Sequence, residues 1–274
     1  MTHDIPKIGP MADLINAALG REHLFGFLPM VDVLPPTSTD AIAIEHFEVS
    51  PEEAQVAALR AQFSGDARGV IPPGRYVRLM VNLDPGSPHH DADLGATVER
   101  AIMMSDTPAE RAEAKRALDN LHGNVLITGL GLGMLPHALL SRNDNTVDHV
   151  LVVEKDPDVI DIVGDALHTR HGFDRLHIVQ ADARTWNPSV WEFDTAFFDI
   201  WPKIGSHMLE EIDAMHAHYG PSITGWREGW VEHDLRLSES IMDLILAAGE
   251  AGNADLLKAF GWVAAQMHAA QQAI

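Results

Sequence analysis

The chain has 274 residues, 46% of them hydrophobic, which suits one sizeable domain with an appendage or two small domains around a real core. Its 40 acidic and 19 basic residues leave a formal net charge of −21, which argues against a general phosphate-backbone binder. With no cysteine, disulfides, Cys–zinc sites and thiol nucleophiles are excluded.

The N-terminal residues MTHDIPKIGPMADL lack a signal-peptide layout, and no apolar run approaches membrane-spanning length, so a cytoplasmic protein is expected. A short helical pattern covers Met11 to Leu19, and Pro35-Pro36 with TSTD reads as a linker or turn. Ala41 to Val49 alternates as a strand. Ser50 caps a helix, with Pro51 at its first position and Glu53 completing a capping box, and that helix stops near Phe63. Tyr76 to Leu83 has a clear strand period, and Thr97 to Met104 suits a returning strand. MSDTPAERAEAKRAL opens a helix capped by Asp106 or Thr107, with Glu110 in the box position.

From Asn124 the rhythm becomes βαβα. Val125–Thr128 is a strand that meets Gly129, Gly131 and Gly133, and a helix follows to about Leu140. Further strands are expected at His149–Val153, Leu176–Gln180 and Thr195–Phe198, followed by the acids Glu154, Asp182 and Asp199. Asp156-Pro157 opens a helix. After Ser206 the pattern is mainly helical, with at most one short strand before the helical stretch from Leu237 to Ile274. The fold class is therefore α/β: a Rossmann-like, mostly parallel sheet with helices on both faces, a small β-rich N-terminal region and a helical C-terminus. The expected division is 1–121, an N-terminal α+β region; 122–206, the Rossmann-like core; and 207–274, a mainly helical region.

A glycine turn at a strand end lets the backbone approach a ligand, and the next helix N-terminus offers N–H groups to an anion. That much suits several nucleoside cofactors. The spacing GxGxG falls one residue short of the dinucleotide fingerprint GxGxxG, and Met134 stands where the third dinucleotide glycine would be. Glu154 can accept from ribose hydroxyls at the tip of its strand. A carboxylate at Asp182 can accept from the adenine amine while the Ala183 N–H donates to a ring nitrogen. Asp199 faces the reacting centre at the carboxyl edge of the sheet.

These segments, VLITGLGLGM, VLVVEKD, VQADA and FDTAFFDIWP, resemble the class I S-adenosylmethionine-dependent methyltransferases, and within them the spermidine-synthase-like branch. The resemblance covers about residues 100–205 well and the N-terminal hairpin loosely. It implies S-adenosyl-L-methionine as cofactor, with Gly129, Gly131 and Gly133 flanking the methionine moiety. It further implies Glu154 on the ribose, Asp182 and Ala183 on the adenine, and Asp199 at the reaction zone. Aminopropyltransferases carry a second acid soon after the aspartate of the fourth strand; here Asp199 is followed by Ile200, Trp201, Pro202 and Lys203.

Simpler roles compete for each residue. The glycines suit a plain tight turn, and Glu154, Asp182 and Asp199 suit caps or ion pairs. Trp201 suits stacking on adenine or acceptor, or a place in the core. Tyr76 is a candidate acceptor contact, His207 a candidate general base, and Asp106 a candidate site residue as well as a cap. The 16 histidines show no metal-ligand spacing: His89, His90, Asp91 and Asp93 lie in a loop, and His168 and His171 form only a pair, so no metal is expected. The leading expectation is methyl transfer to a small polar or amine acceptor. Alternatives are aminopropyl transfer from a decarboxylated sulfonium cofactor, a catalytically silent cofactor-binding or assembly protein, and, more remotely, an NAD-dependent oxidoreductase. The expected partner is a small molecule rather than nucleic acid or membrane, with a homo-oligomer left open.

Overall fold

The computed structural model describes residues 26–64, 70–84, 86–89, 99–188 and 190–250. The helical patterns at Met11–Leu19 and beyond Glu250 lie outside these residues, as do Thr97 and the loop residues His90, Asp91 and Asp93. Two sheets organise the chain. Strands β1 (Thr37–Ser38), β2 (Ile42–Val49), β3 (Gly74–Asn82) and β4 (Arg100–Ser105) form an antiparallel sheet in sequence order. Helix α1 (Pro51–Ser64) follows β2, and its capping box is made in full: Ser50 N–H donates to Glu53 Oε2 at 2.8 Å, and Glu53 N–H to Ser50 Oγ at 3.2 Å.

Helix α2 (Pro108–Asn120) leads into the second sheet. Its strands are β5 (Gly123–Thr128), β6 (Val147–Glu154), β7 (Leu176–Gln180), β8 (Thr195–Phe198) and β9 (Arg227–Gly229), in the order β7-β6-β5-β8-β9 and parallel throughout. Helix α3 (Met134–Leu140) connects β5 to β6. Helix α4 connects β6 to β7 as an α-turn Pro157–Val159, a π segment Ile160–Gly164 and an α segment Asp165–His171. Asp156 caps α4 by accepting from Asp158 and Val159 N–H, as the Asp-Pro pair predicts. Helix α5 (Met208–Tyr219) connects β8 to β9, and α6 (Glu232–Glu250) follows β9.

The parallel strands are apolar on both faces because helices or the other sheet cover both. Val125, Ile127, Val150 and Val152 enter one core cluster with Ile42, Ile44, Val77 and Leu79 of the N-terminal sheet. Leu126, Leu151, Val153 and Phe198 enter a second, with Met208, Ile212 and Tyr219 of α5. Among the described residues, no helix is long and apolar enough to cross a membrane.

The sheet continues past residue 206 with β9, a strand of three residues. Trp230 N–H donates to the Phe198 carbonyl at 2.7 Å, and Val231 just beyond has φ 50°. A β-branched residue in that region costs energy, and the anchor that holds it is Glu232. Its carboxylate accepts from Gly229 N–H, His216 Nε2–H and Arg236 Nε–H at 2.7, 2.8 and 2.7 Å. Burial opposes ionisation of Glu232, but these donors outweigh it and hold its pKa down to about 2.

Asp106 is a structural clasp. Fully buried, it accepts from Met30 N–H at 3.0 Å, Val77 N–H at 2.7 Å and Arg111 Nη2–H at 3.0 Å. It joins the N-terminal turn, β3 and α2. The N-cap of α2 is Thr107, and the Glu110 carboxylate reaches back to Ser105 N–H at 2.7 Å.

Candidate functional site

Strand order places the ends of β6, β5 and β8 side by side, with β5 and β8 at the point where the connection reverses direction across the sheet. In open α/β sheets that reversal leaves a crevice beyond the carboxyl edge. Here the crevice is a small cleft, about 40 Å³ in volume, lined by Gly129, Val153, Glu154, Lys155, Ala181, Asp182, Ala183, Arg184 and Ile200. Four residues anticipated from the sequence, Gly129, Glu154, Asp182 and Ala183, thus line one cleft.

The three glycines of the turn all have positive φ, at 90°, 51° and 70° for Gly129, Gly131 and Gly133. Each also lacks room for a side chain. A Cβ on Gly129 would lie 1.8 Å from the Asp199 carbonyl oxygen, one on Gly131 2.3 Å from Met104 Sδ, and one on Gly133 2.6 Å from Leu167 Cδ1. Packing within the chain therefore explains all three, with or without a ligand. The turn's N–H groups are also largely engaged. Gly129 donates to the Val153 carbonyl, Leu130 to Glu154, Leu132 to Met104 Sδ at 3.1 Å, and Gly133 to the Leu130 carbonyl. Of the turn's own donors, Leu132 N–H is the most readily released, because the Met104 thioether is a weak acceptor that a better one can displace.

Glu154 is nearly buried and accepts three backbone N–H bonds: Leu130 on Oε2 at 2.7 Å, and Lys155 and Asp156 on Oε1 at 2.7 and 2.9 Å. A carboxylate has about four lone-pair positions, so these three bonds leave capacity for one further donor, on Oε2. Asp182 is exposed. Its Oδ1 accepts from Arg184 N–H at 2.9 Å, and its carbonyl accepts from the Thr185 and Trp186 N–H groups, closing a tight turn. Ala183 is buried, and its carbonyl accepts from Tyr219 O–H at 2.6 Å, which ties α5 to the cleft. The cleft thus has two acids in its lining, Glu154 at the end of β6 and Asp182 just beyond β7, either of which can accept from hydroxyl or amine donors.

Beside the cleft stands a set of acids that the sequence reading found only in part. Asp199 keeps some accessible surface but lies deep in the fold, and its backbone N–H donates to the Thr128 carbonyl at 2.8 Å. Burial, then the charges of Glu113 and Glu154, raise its pKa to about 7. Glu110 is raised to about 7 as well, by burial first. Its bonds from Ser105 oppose that shift, while Glu113 and Asp199 add to it. Glu113 accepts from Trp230 Nε1–H at 3.1 Å. Glu110 reads from sequence as a helix-box residue, and Glu113 stands one helical turn further on the same face. That i, i+3 pair of acids was the available signal.

Three other sequence candidates are placed elsewhere. Trp201 is buried in the second core cluster, with its indole N–H donating to Glu211 at 2.9 Å, and Ile200 takes the cleft-lining place instead. Tyr76 is buried in the N-terminal sheet, stacked on Phe47 at 5.5 Å, with its hydroxyl donating to the Pro72 carbonyl. His207 is exposed at the start of α5, 3.5 Å from Glu210. None of the three lines the cleft. Among the described residues, no group of three or more His, Asp or Glu is arranged to hold a metal ion.

No family model matches the chain, and no curated protein does. Solved structures match in part. A candidate caffeoyl-CoA O-methyltransferase from Staphylococcus aureus is 22% identical, over 40% of this chain and 48% of its own, with a TM-score of 0.31. TrmN from Thermus thermophilus is 16% identical, over 43% of this chain and 35% of its own, with a TM-score of 0.34. An S-adenosylmethionine-dependent methyltransferase from Clostridium acetobutylicum is 11% identical, over 41% of this chain and 43% of its own, with a TM-score of 0.29. The chain thus matches less than half the length of each, and the likeness is one of partial fold.

Proposed function

We propose that the chain is an S-adenosyl-L-methionine-dependent transferase, most simply a methyltransferase acting on a small polar or amine acceptor. The reading is carried by one observation: Gly129, Glu154, Asp182 and Ala183 line a single cleft at the reversal point of a parallel sheet, next to Asp199. Glu154 would hold the ribose, Asp182 and Ala183 the adenine, and the Gly129–Gly133 turn the methionine portion. The bound cofactor would supply an electrophilic carbon on a sulfonium. The chain's own part is to align, to exclude water and to manage a proton.

Asp199 and Glu110 suit the last task. With pKa values near 7, they divide between protonated and ionised forms at neutral pH, where a proton acceptor works best. A protonated amine entering among Glu110, Glu113 and Asp199 would meet like charges that repel one another, and would relieve that repulsion. The same acids support a second reading, aminopropyl transfer. They would repel a cofactor carboxylate and suit a decarboxylated, cationic tail.

The experiment is a thermal-shift panel with S-adenosylhomocysteine, methylthioadenosine and NADH, followed by turnover on a panel of amines, phenols and carboxylates. A shift with S-adenosylhomocysteine and its accumulation as product supports methyl transfer. Accumulation of methylthioadenosine supports the second reading. Stabilisation by NADH alone overturns both.

A further inference from the structure

Strand β4 carries an irregularity that decides where Met104 points. Leu79 of β3 pairs with Met104 and Met80 with Ile102, so Met103 is the extra residue of a bulge. Paired residues in an antiparallel sheet share a face. Leu79 is fully buried, and Met104 opposite it packs against the same core cluster, whereas Ile102, opposite Met80, is 56% exposed. Regular alternation would set Ile102 and Met104 on one face. The bulge separates them, and the side chain it sends inward is the one that reaches the glycine turn.

There Met104 Sδ accepts from Leu132 N–H at 3.1 Å, and a Cβ on Gly131 would lie 2.3 Å from the sulfur. The cleft lining follows this boundary: it includes Gly129 but none of Gly131, Leu132 and Gly133. Met104 thus covers the part of the turn assigned to the methionine portion, while Glu154 and Asp182 line the cleft. Two properties make this cover displaceable. A thioether is a weak acceptor, and a carboxylate oxygen is a strong one for the same N–H. The methionine side chain is also unbranched with three rotatable bonds, so it can swing without moving the backbone. That backbone is pinned at the next residue, because Ser105 donates to Glu110 Oε1 through its N–H at 2.7 Å and its Oγ–H at 2.8 Å.

We propose that Met104 is a side-chain gate over the methionine subsite, opened by a ligand whose carboxylate takes the Leu132 N–H from its thioether. On the S-adenosylmethionine reading above, on which this rests, the gate sets a specificity. A nucleoside thioether with an amino-acid tail displaces Met104 and gains the stronger hydrogen bond. Adenosine and methylthioadenosine lack the carboxylate, bind at the nucleoside end and leave the gate closed.

Calorimetric titration of adenosine, methylthioadenosine and S-adenosylhomocysteine into the full-length chain and three variants tests this. Met104→Ala removes the gate. Met104→Leu keeps its bulk without the acceptor and, being nearly isosteric, carries the test should Met104→Ala be unstable. Met104→Gln brings a stronger acceptor, an amide oxygen, to the same N–H. A closed conformer lowers apparent affinity by the fraction that is open, so S-adenosylhomocysteine should bind Met104→Ala about tenfold tighter than the parent. It should bind Met104→Leu about threefold tighter and Met104→Gln about tenfold weaker, with adenosine and methylthioadenosine within about twofold throughout. Binding of S-adenosylhomocysteine with no change among the variants, or with equal changes for all three ligands, overturns the gate and leaves the cofactor reading standing. Failure of all three ligands to bind parent and variants alike overturns the cofactor reading, and the gate with it.

Discussion

Leu130 N–H donates to Glu154 Oε2 at 2.7 Å, which makes the glycine turn and the acid at the end of β6 one hydrogen-bonded unit. The remaining oxygen of Glu154 accepts from its own two successors, Lys155 and Asp156. The carboxylate that would receive the ribose therefore also sets the shape of the turn. Its replacement should affect stability and binding together.

Glu154→Gln tests this coupling. An amide keeps the size but offers one acceptor oxygen where three N–H donors converge, so its NH₂ must face a donor. Leaving a buried N–H unpaired costs about 1–3 kcal/mol. The expected outcome is that loss in urea unfolding, together with loss of the thermal shift with S-adenosylhomocysteine. Unchanged unfolding with binding lost would show that Glu154 contacts ligand without organising the turn.

Asp199→Asn tests the acidic set. Folding raises the pKa of Asp199 to about 7 from an ordinary value of 3.8, so between those limits the folded chain binds more protons than the unfolded one. The stability tied to this group is then complete below about pH 4 and is lost as pH rises towards and through 7. Asn cannot ionise and avoids that loss. The variant should be about 1–2 kcal/mol more stable than the parent at pH 8, with little difference at pH 4, and should lose transfer activity. Urea unfolding at pH 4, 6 and 8 checks it; a constant difference across the range would sink the electrostatic account.

The contrast between Asp199 and Trp201 shows what could be read from the residues alone. Acids directly after buried strands must emerge at the carboxyl edge, because parallel strand ends are set by topology, and Glu154, Asp182 and Asp199 do so. Two residues further on, no period constrains the chain, and Trp201 turns into the core because α5 packs there and Glu211 offers its indole an acceptor. Tyr76 departs from alternation for a similar reason. Val77, Leu79 and Val81 fill the inward face, but Phe47 and the Pro72 carbonyl bury Tyr76 on the other. Strand β9 was scarcely readable because Arg227-Glu228-Gly229 has no apolar pattern; its register comes from pairing with β8. Glu113 was missed since a solvated helix acid and one facing a site look alike in sequence.

Asp106→Ala should destabilise the chain without selective loss of ligand binding. The substitution removes the acceptor for Met30 and Val77 N–H and leaves Arg111, also buried, as an unmatched charge. Breaking a buried pair from one side costs about 3–5 kcal/mol. Chemical denaturation measures the loss, and S-adenosylhomocysteine affinity in the fraction still folded should stay within about threefold of the parent, since no cleft residue is touched. A parent-like unfolding midpoint would show that the clasp contributes little.

His137 and His171 supply the opposite pH dependence. Their rings meet at 2.7 Å through Nδ1 and Nε2, so one nitrogen carries the shared hydrogen and the pair is held neutral. Burial, then the nearby charges of His171 and Arg170, lower the His137 pKa to about 4 from an ordinary 6.5. Between these values the unfolded chain binds more protons, so this contribution is present above about pH 6.5 and is lost as pH falls towards 4. Over much of the same range Asp199 and Glu110 act with the opposite sign, which flattens the parent's net profile. In His137→Gln, the amide can still bond to His171 but cannot take up a proton. Removing the histidine slope should leave the carboxyl slope exposed, so the variant's stability should rise as pH falls from 6.5 to 4.5, by about 1–2 kcal/mol relative to the parent. Urea unfolding at half-unit steps checks the sign, and a variant whose profile stays parallel to the parent's on acidification would place the acid-sensitive group elsewhere.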